Sequence, residues 1–410
     1  MAFGDIGAEL GKVQFETEDI GLFSNPVHVF GRIHAIAYPR TTGVSRGLII
    51  KTFNFSTDGI TLATVNELNI DVTLTSGNAS QMLQLAPNIW IVMYLKDGGA
   101  STGWYVATVR ISDDGNTITL LDSYRFDSNA AGNSSYYGGM CRLNLSDYYA
   151  FVYAGSGDDG YIRTIEIASD GTITHATTDW WEYDSSDGKW AQIHHITGII
   201  YAISYTDGTT AYIKTLNVAD DGTITNAFID TQAVGNSQIA GPRLVRVSGN
   251  YWAVFLADAF QDGWMYTYEI SDLGAISATV DFWEFDGVNG VNCYPITASD
   301  NEAIDGKVML YAHAQPNGTH ESLRTNQISN TGTITKSMID EVVLEAAGQI
   351  SFPTLMMISG SYYIYAIFYR RPGVGGYVVS RYVAGPPWGI GPTAKLGGNI
   401  GIPLGGLLNS

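Results

Sequence analysis

One phrase returns along the chain at a nearly constant interval, and nothing else in the sequence constrains the fold so strongly. A short run rich in Tyr, Trp, Ile and Val starts at Arg32, Ile89, Tyr148, Ile199, Tyr251, Lys307 and Tyr362, at spacings of 57, 59, 51, 52, 56 and 55 residues. A second run follows each, then an acidic glycine turn, then a third run. The turn reads Thr57-Asp58-Gly59, Asp113-Asp114-Gly115, Ser169-Asp170-Gly171 and Asp220-Asp221-Gly222, and is altered to Asp272-Leu273-Gly274 and Asn330-Thr331-Gly332. Asp-Gly between two β runs is a hairpin signal, because Gly supplies positive φ and Asp bonds its own backbone. Asp58, Gly59, Asp114, Gly115, Asp170, Gly171, Asp221 and Gly222 are therefore read as turn-forming residues. A further run precedes each first one, as in Pro242–Gly249 and Pro353–Gly360, so each repeat predicts four strands, A to D.

A repeat of this size with four antiparallel strands resembles the blade of β-propeller proteins. The resemblance spans residues 26–383 and implies an all-β, seven-bladed propeller. The D runs Asp179-Trp180-Trp181-Glu182-Tyr183 and Asp281-Phe282-Trp283-Glu284-Phe285 put aromatics on successive positions, which face opposite sides of a strand. Both sides need cover, as between neighbouring blades. The seventh repeat has no D run: after Tyr377–Val383 the chain enters Ala384-Gly385-Pro386-Pro387. Residues 12–20, with Val13, Phe15 and Thr17, resemble a D strand and are expected to close the ring in the last blade, as propeller proteins often do.

This divides the chain into an N-terminal arm and closing strand (1–25), the propeller (26–383) and a C-terminal arm (384–410). Residues 385–410 hold eight Gly, four Pro and one charged residue, Lys395, together with Trp388, Ile390, Leu396, Ile400, Ile402, Leu404, Leu407 and Leu408. Such a segment is too apolar for a solvated tail. With Phe3 and Ile6 at the other end, these residues are read as arms that dock on a neighbouring subunit.

The composition excludes several functions. Lys plus Arg number 21 against 40 Asp plus Glu, a net charge of −19, which argues against a nucleic-acid partner. No apolar run approaches the ~20 residues of a membrane helix, and the first residues lack a secretory signal. Cys141 and Cys293 stand far apart, with no Cys/His cluster for zinc. No acidic turn matches a calcium loop, and no nucleotide or hydrolase motif stands in a suitable context. No metal, cofactor or catalytic residue is therefore expected. His194-His195 falls in an A strand, where the two rings point to opposite faces. Ser112–Thr117 loosely resembles the Asp-box of sialidases but departs in spacing and lacks its aromatic.

The function expected from these features is non-enzymatic: a binding or structural protein of an extracellular assembly, above all a virus or phage virion, with other protein subunits as partners. A surface filament or layer is one alternative. A glycan-binding lectin or sialidase-like glycosidase is the other, with loop aromatics such as Trp104, Tyr105, Tyr136, Tyr137 and Tyr161 as sugar contacts.

Overall fold

The structure is a computed structural model. It describes residues 4–384 apart from 44–45, 75, 98–101, 129–136, 145, 237–239, 288–290, 298–306, 315–320, 346–350, 359–362 and 372. Seven four-stranded antiparallel sheets follow one another as blades. Strand β1 is Ile6–Glu16. Blade 1 is β2–β5 (Val27–Phe30, Ile33–Arg40, Gly47–Phe55, Leu62–Asp71) and blade 2 is β6–β9 (Ser76–Ala86, Ile89–Asp97, Gly103–Ile111, Ile118–Asp127). Blade 3 is β10–β13 (Gly139–Arg142, Tyr148–Ala154, Gly160–Glu166, Asp179–Asp184) and blade 4 is β14–β17 (Lys189–Thr197, Ile200–Thr206, Thr210–Val218, Ile224–Asn236). Blade 5 is β18–β21 (Ala240–Ser248, Tyr251–Ala257, Gly263–Glu269, Asp281–Asp286) and blade 6 is β22–β25 (Val291–Thr297, Lys307–Ala314, Glu321–Ile328, Asp340–Glu345). Blade 7 joins β26–β28 (Ser351–Met357, Ile364–Arg371, Gly375–Val383) to β1. No helix among the described residues is long and apolar enough to cross a membrane.

The second strand of each blade is apolar on both faces because a neighbouring blade covers each face. Ile33–Arg40 is buried along its whole length. The hydrophobic clusters accordingly lie at the seams between blades. One joins Ala35 and Ile50 of blade 1 to Met82 and Trp90 of blade 2; another joins Met93 and Trp104 of blade 2 to Phe151 and Tyr153 of blade 3.

Polar latches repeat on the same seams. A buried C-strand hydroxyl donates to the turn glycine carbonyl of the next blade: Thr52 to Gly115 at 2.8 Å, Thr164 to Gly222 at 2.6 Å, Thr267 to Gly332 at 2.6 Å. Thr108 does so to Gly171, Thr215 to Gly274, and Ser380 to Gly59 across the closing seam. Gly115 shows why the turn needs glycine. Its φ is +72°, and a Cβ there would sit 2.8 Å from Cγ2 of Ile33 in the preceding blade.

An acid early in the D strand makes a second latch, accepting from an Ile amide of the next blade. The pairs are Asp122–Ile173 (2.9 Å), Asp179–Ile224 (2.8 Å), Asp230–Ile276 (2.8 Å) and Asp281–Ile334 (3.0 Å). An acid at the end of the D strand makes a third, accepting a tyrosine hydroxyl of the next blade: Glu16–Tyr38 (3.0 Å), Asp127–Tyr153 (2.7 Å) and Asp184–Tyr205 (2.6 Å). Cations of the same blade as the tyrosine complete these groups, as Arg40 does for Glu16 and Arg163 for Asp127.

The ring is closed by the N-terminal strand in blade 7, where β1 pairs antiparallel with β28 and Val13 faces Val378. The strand lies earlier than residues 12–20. Ile6 already pairs with Val383, and Thr17 lies beyond the strand end. Ile6 is thus not an arm residue. It is buried among Val308, Leu310 and Leu344 of blade 6, and its amide donates to Asp340 Oδ2 at 2.7 Å. Phe15 packs edge-on against Tyr38, Phe53 and Phe368, bridging blades 7 and 1. Gly4, with φ +88°, accepts from Thr325 at 2.6 Å, as the turn glycines do at the other seams. Gly4 and Asp5 also exchange backbone hydrogen bonds with Ala384, so two separate stretches of chain form the seventh turn.

Candidate functional site: the axial channel

From blade 2 to blade 7 the first strand of each blade packs against the first strand of the next, which places these strands around the axis. Their pairing with the second strand is interrupted at one level. The register slips at Ala79/Gln81 in blade 2, Lys189/Gln192 in blade 4, Ala240/Arg243 in blade 5, Val291/Tyr294 in blade 6 and Ser351/Thr354 in blade 7. A bulge bends its strand and re-aims a side chain. Here the bulged residues converge on one cavity of about 260 Å³. Phe23 and Asn25 border it from the segment before blade 1, Gln81 from blade 2, Tyr137 from before blade 3, Trp190, Gln192 and His194 from blade 4, Arg243 from blade 5, Tyr294 from blade 6 and Thr354 from blade 7.

The wall is fixed by amide side chains that span adjacent blades. Asn25 both donates to Met82 O and accepts from Met82 N, at 3.2 and 2.9 Å. Gln81 accepts from Met140 N at 2.7 Å, and Gly138 N donates to Ser80 Oγ at 3.1 Å. Trp190 has φ +53°, a rare conformation for a bulky residue, and a Cβ at Gly241 would lie 2.1 Å from the Trp190 Cβ. The bare Gly241 backbone therefore admits the indole. Strain held at a cavity wall is a feature of binding sites.

Arg243 carries the formal charge of the channel. Its guanidinium carbon lies 4.8 Å from the ring centre of Tyr137 and 5.7 Å from that of Tyr294. No Asp or Glu is among the described lining residues. His194 lies 5.9 Å from the Trp252 ring. Burial, then the nearby Arg243 charge, lowers its pKa to about 4, so the imidazole is neutral at pH 7. The residue as a whole is half-buried, yet its Nε2 is shielded from solvent and without a partner. Burial raises the Cys293 thiol and the Tyr137 phenol far above their ordinary ranges, so both stay protonated.

The residues singled out from sequence lie elsewhere. The carboxylates of Asp58, Asp114, Asp170 and Asp221 accept amide hydrogens within their own turns, from Ile60, Asn116, Thr172 and Thr223. Bonds from Ser112 and Asn116 lower Asp114 to about 2. The glycines Gly59, Gly115, Gly171 and Gly222 face the preceding seams. Among the described residues no cluster of His, Cys, Asp and Glu is placed to hold a metal. His195 is exposed and bonds to Gly198 O, while His194 reaches the channel. Trp104 is core, donating to Ala154 O at 2.9 Å, and is no loop contact. Tyr161 stacks on Tyr153, whereas Tyr137 does line the channel. Phe3, Tyr136, Trp388, Ile390, Leu396, Ile400, Ile402, Leu404, Leu407 and Leu408 lie outside the described residues. Arg243 stands in the run Pro242–Gly249, and nothing in the spacing of that run marks a bulge. The Pro242-Arg243 pair, with its missing ladder donor, was the available signal.

Seven four-stranded blades around a central cavity define a β-propeller with an axial pocket. No family model matches the chain, and no curated protein matches it. Solved structures do match. A candidate 6-phosphogluconolactonase from Bacteroides fragilis is 14% identical, covering 88% of this chain and 93% of its own, with a TM-score of 0.58. A candidate 6-phosphogluconolactonase from Bacteroides uniformis is 11% identical, covering 87% and 94%, with a TM-score of 0.54. The WD40 domain of Toxoplasma gondii coronin is 10% identical, covering 95% and 91%, with a TM-score of 0.51. These likenesses establish the propeller fold. They also correct the expectation of a virion component: the chains that share this architecture almost end to end are candidate lactonases and a WD40 domain, and nothing supports a virion. One ground for that expectation has also gone, because Ile6 belongs to the sheet.

Proposed function

We propose that this propeller binds a small polyhydroxylated ligand of the sugar class in its axial channel. One observation carries the reading: the inner strands of five blades bulge at one level and bring aromatic faces and amide groups to a single cavity. Apolar pockets with a few fixed polar groups are the usual form of a small-molecule site. Trp190 and Tyr294 offer ring faces, and Gln192 and Asn25 offer hydrogen bonds. The names of the matched Bacteroides structures point to the same ligand class.

Binding is favoured over glycoside cleavage because that chemistry requires two carboxylates, and the described lining residues supply none. Opening a sugar lactone remains the second reading. It is favoured by His194, a neutral imidazole with an unpartnered nitrogen in the wall. Calorimetric titration of hexoses, polyols and aldonic acids tests the first reading. Trp190→Gly, which suits the positive φ, should weaken binding about tenfold or more with an unchanged melting temperature. Unaltered binding would place the ligand elsewhere. Acid release from δ-gluconolactone, followed by pH-stat and abolished in His194→Gln, would establish the second.

A further inference from the structure

We propose that the ligand of the axial channel carries an anionic group, a carboxylate or a phosphate, and that Arg243 holds it. The inference rests on the reading of the channel as a ligand site and specifies what enters it. Arg243 follows the blade 5 bulge and reaches the axis, where Tyr137 of blade 3 and Tyr294 of blade 6 both lie against its guanidinium. Rings over a guanidinium leave its edge, and so its in-plane N–H donors, available for two parallel bonds to an oxyanion.

Those donors are unspent. Several cations elsewhere in the propeller meet carboxylates, as Arg40 does Glu16, Arg163 Asp127, Lys189 Asp187 and Arg324 Asp286, and others meet backbone carbonyls, as Arg246 does Gly249 and Arg381 does Gly7. Arg243 has no carboxylate and no hydrogen-bond partner among the described residues. A charge held in a low-dielectric wall is costly unless it is paired. The second observation is the surrounding field. The described lining residues include no acid, and His194 beside Arg243 is neutral. A chain of net charge −19 thus presents a local positive potential at its axis, and a walled cavity focuses such a field.

The test compares probes of one shape and different charge on the full chain: D-glucitol, D-gluconate, 6-phosphogluconate and inorganic phosphate, by calorimetry at low salt. Gluconate should bind about tenfold or more tightly than glucitol. That preference should shrink with added salt and vanish in Arg243→Gln, which should bind gluconate no more tightly than glucitol. Arg243→Lys keeps the charge but loses the fork, so it should recover only part of the preference. Thermal melts confirm that both variants are folded. Tighter binding of 6-phosphogluconate than gluconate, with phosphate alone also Arg243-dependent, assigns the group as phosphate; the reverse order assigns it as carboxylate. Equal binding of glucitol and gluconate, unchanged by Arg243→Gln, overturns the anion assignment and leaves the channel reading intact. Failure of every probe to bind overturns both.

Discussion

Phe15→Ala tests whether the closing strand is as integral to the ring as the covalently continuous D strands. Phe15 is 4% exposed and makes three edge-to-face contacts, at ring separations of 5.5, 5.5 and 6.1 Å, with Tyr38 and Phe53 of blade 1 and Phe368 of blade 7. Truncating a buried Phe costs roughly 3–5 kcal/mol, from lost transfer energy plus the cavity left behind. The aromatic pairs, at roughly 0.5–1.5 kcal/mol each, place this site in the upper half of that range. Phe126 is the matched control. It occupies the equivalent position of a D strand within the chain, 3% exposed against Phe151 and Tyr153. Urea unfolding followed by tryptophan fluorescence should show Phe15→Ala and Phe126→Ala losing stability to within about 1 kcal/mol of each other. Phe15→Ala should also speed proteolysis within residues 6–16, which Phe126→Ala leaves protected. A loss below about 1 kcal/mol for Phe15→Ala, beside a full loss for Phe126→Ala, would refute the reasoning: β1 would then be an accessory strand, and the ring would hold without it.

The seam latches and the buried histidine give three further predictions. Thr108→Val keeps the shape but leaves the Gly171 carbonyl without its buried donor, a loss of about 1–3 kcal/mol visible as a lowered melting temperature. Gly115→Ala places a methyl group against Ile33, whereas Gly198→Ala, at φ +52° with open space around it, meets only backbone strain of about 1–2 kcal/mol. The first should therefore be the more destabilising in denaturant titration. Acid should weaken the fold in two stages. His34 is fully buried, and burial, then the His28 charge, lowers its pKa to about 3. The unfolded chain therefore takes up a proton below pH 6.5 that the folded one refuses, costing ~1.4 kcal/mol per pH unit. Burial would raise Glu16, Asp122 and Asp281, but hydrogen bonds from Arg40, from Ile173 and His175, and from Lys336 and Ile334 hold them below the usual range. Their contribution is present above the unfolded carboxylate pKa of about 4 and is lost as pH falls through the folded values. Melting temperatures should decline gently from pH 6.5 and steeply below about 4, and His34→Phe should lessen the first stage without removing it, because His194 is also held neutral by burial.

The blades were legible because a four-strand unit needs cover on both faces, and that need is written locally as double-sided apolar runs and Asp-Gly turns. The seventh turn was legible in principle and missed. Gly4-Asp5-Ile6 matches Gly171-Thr172-Ile173 and Gly222-Thr223-Ile224 in role, which would have moved the start of the closing strand from 12 to 6. It lacks the Asp-Gly pair that marks the first four copies. The D-strand acids were visible too, but their partners lie about fifty residues away in the next blade, so their role as latches required the ring. The channel was least legible. A bulge is a property of two strands read against each other, and Arg243, Tyr137 and Tyr294 come together only when blades 3, 5 and 6 stand around one axis.

The turn shared between Gly4 and Ala384 has a consequence for how the molecule could be rewired. At that one corner two stretches of chain are joined by two backbone hydrogen bonds, Gly4 N to Ala384 O and Ala384 N to Asp5 O, and Thr325 donates to Gly4 O from blade 6. The other six corners carry the same hydroxyl-to-glycine bond. Bridging 384 to 4 with a short linker and cutting at Asp170 should therefore give a circular permutant with the same seams, its opening relocated by four blades.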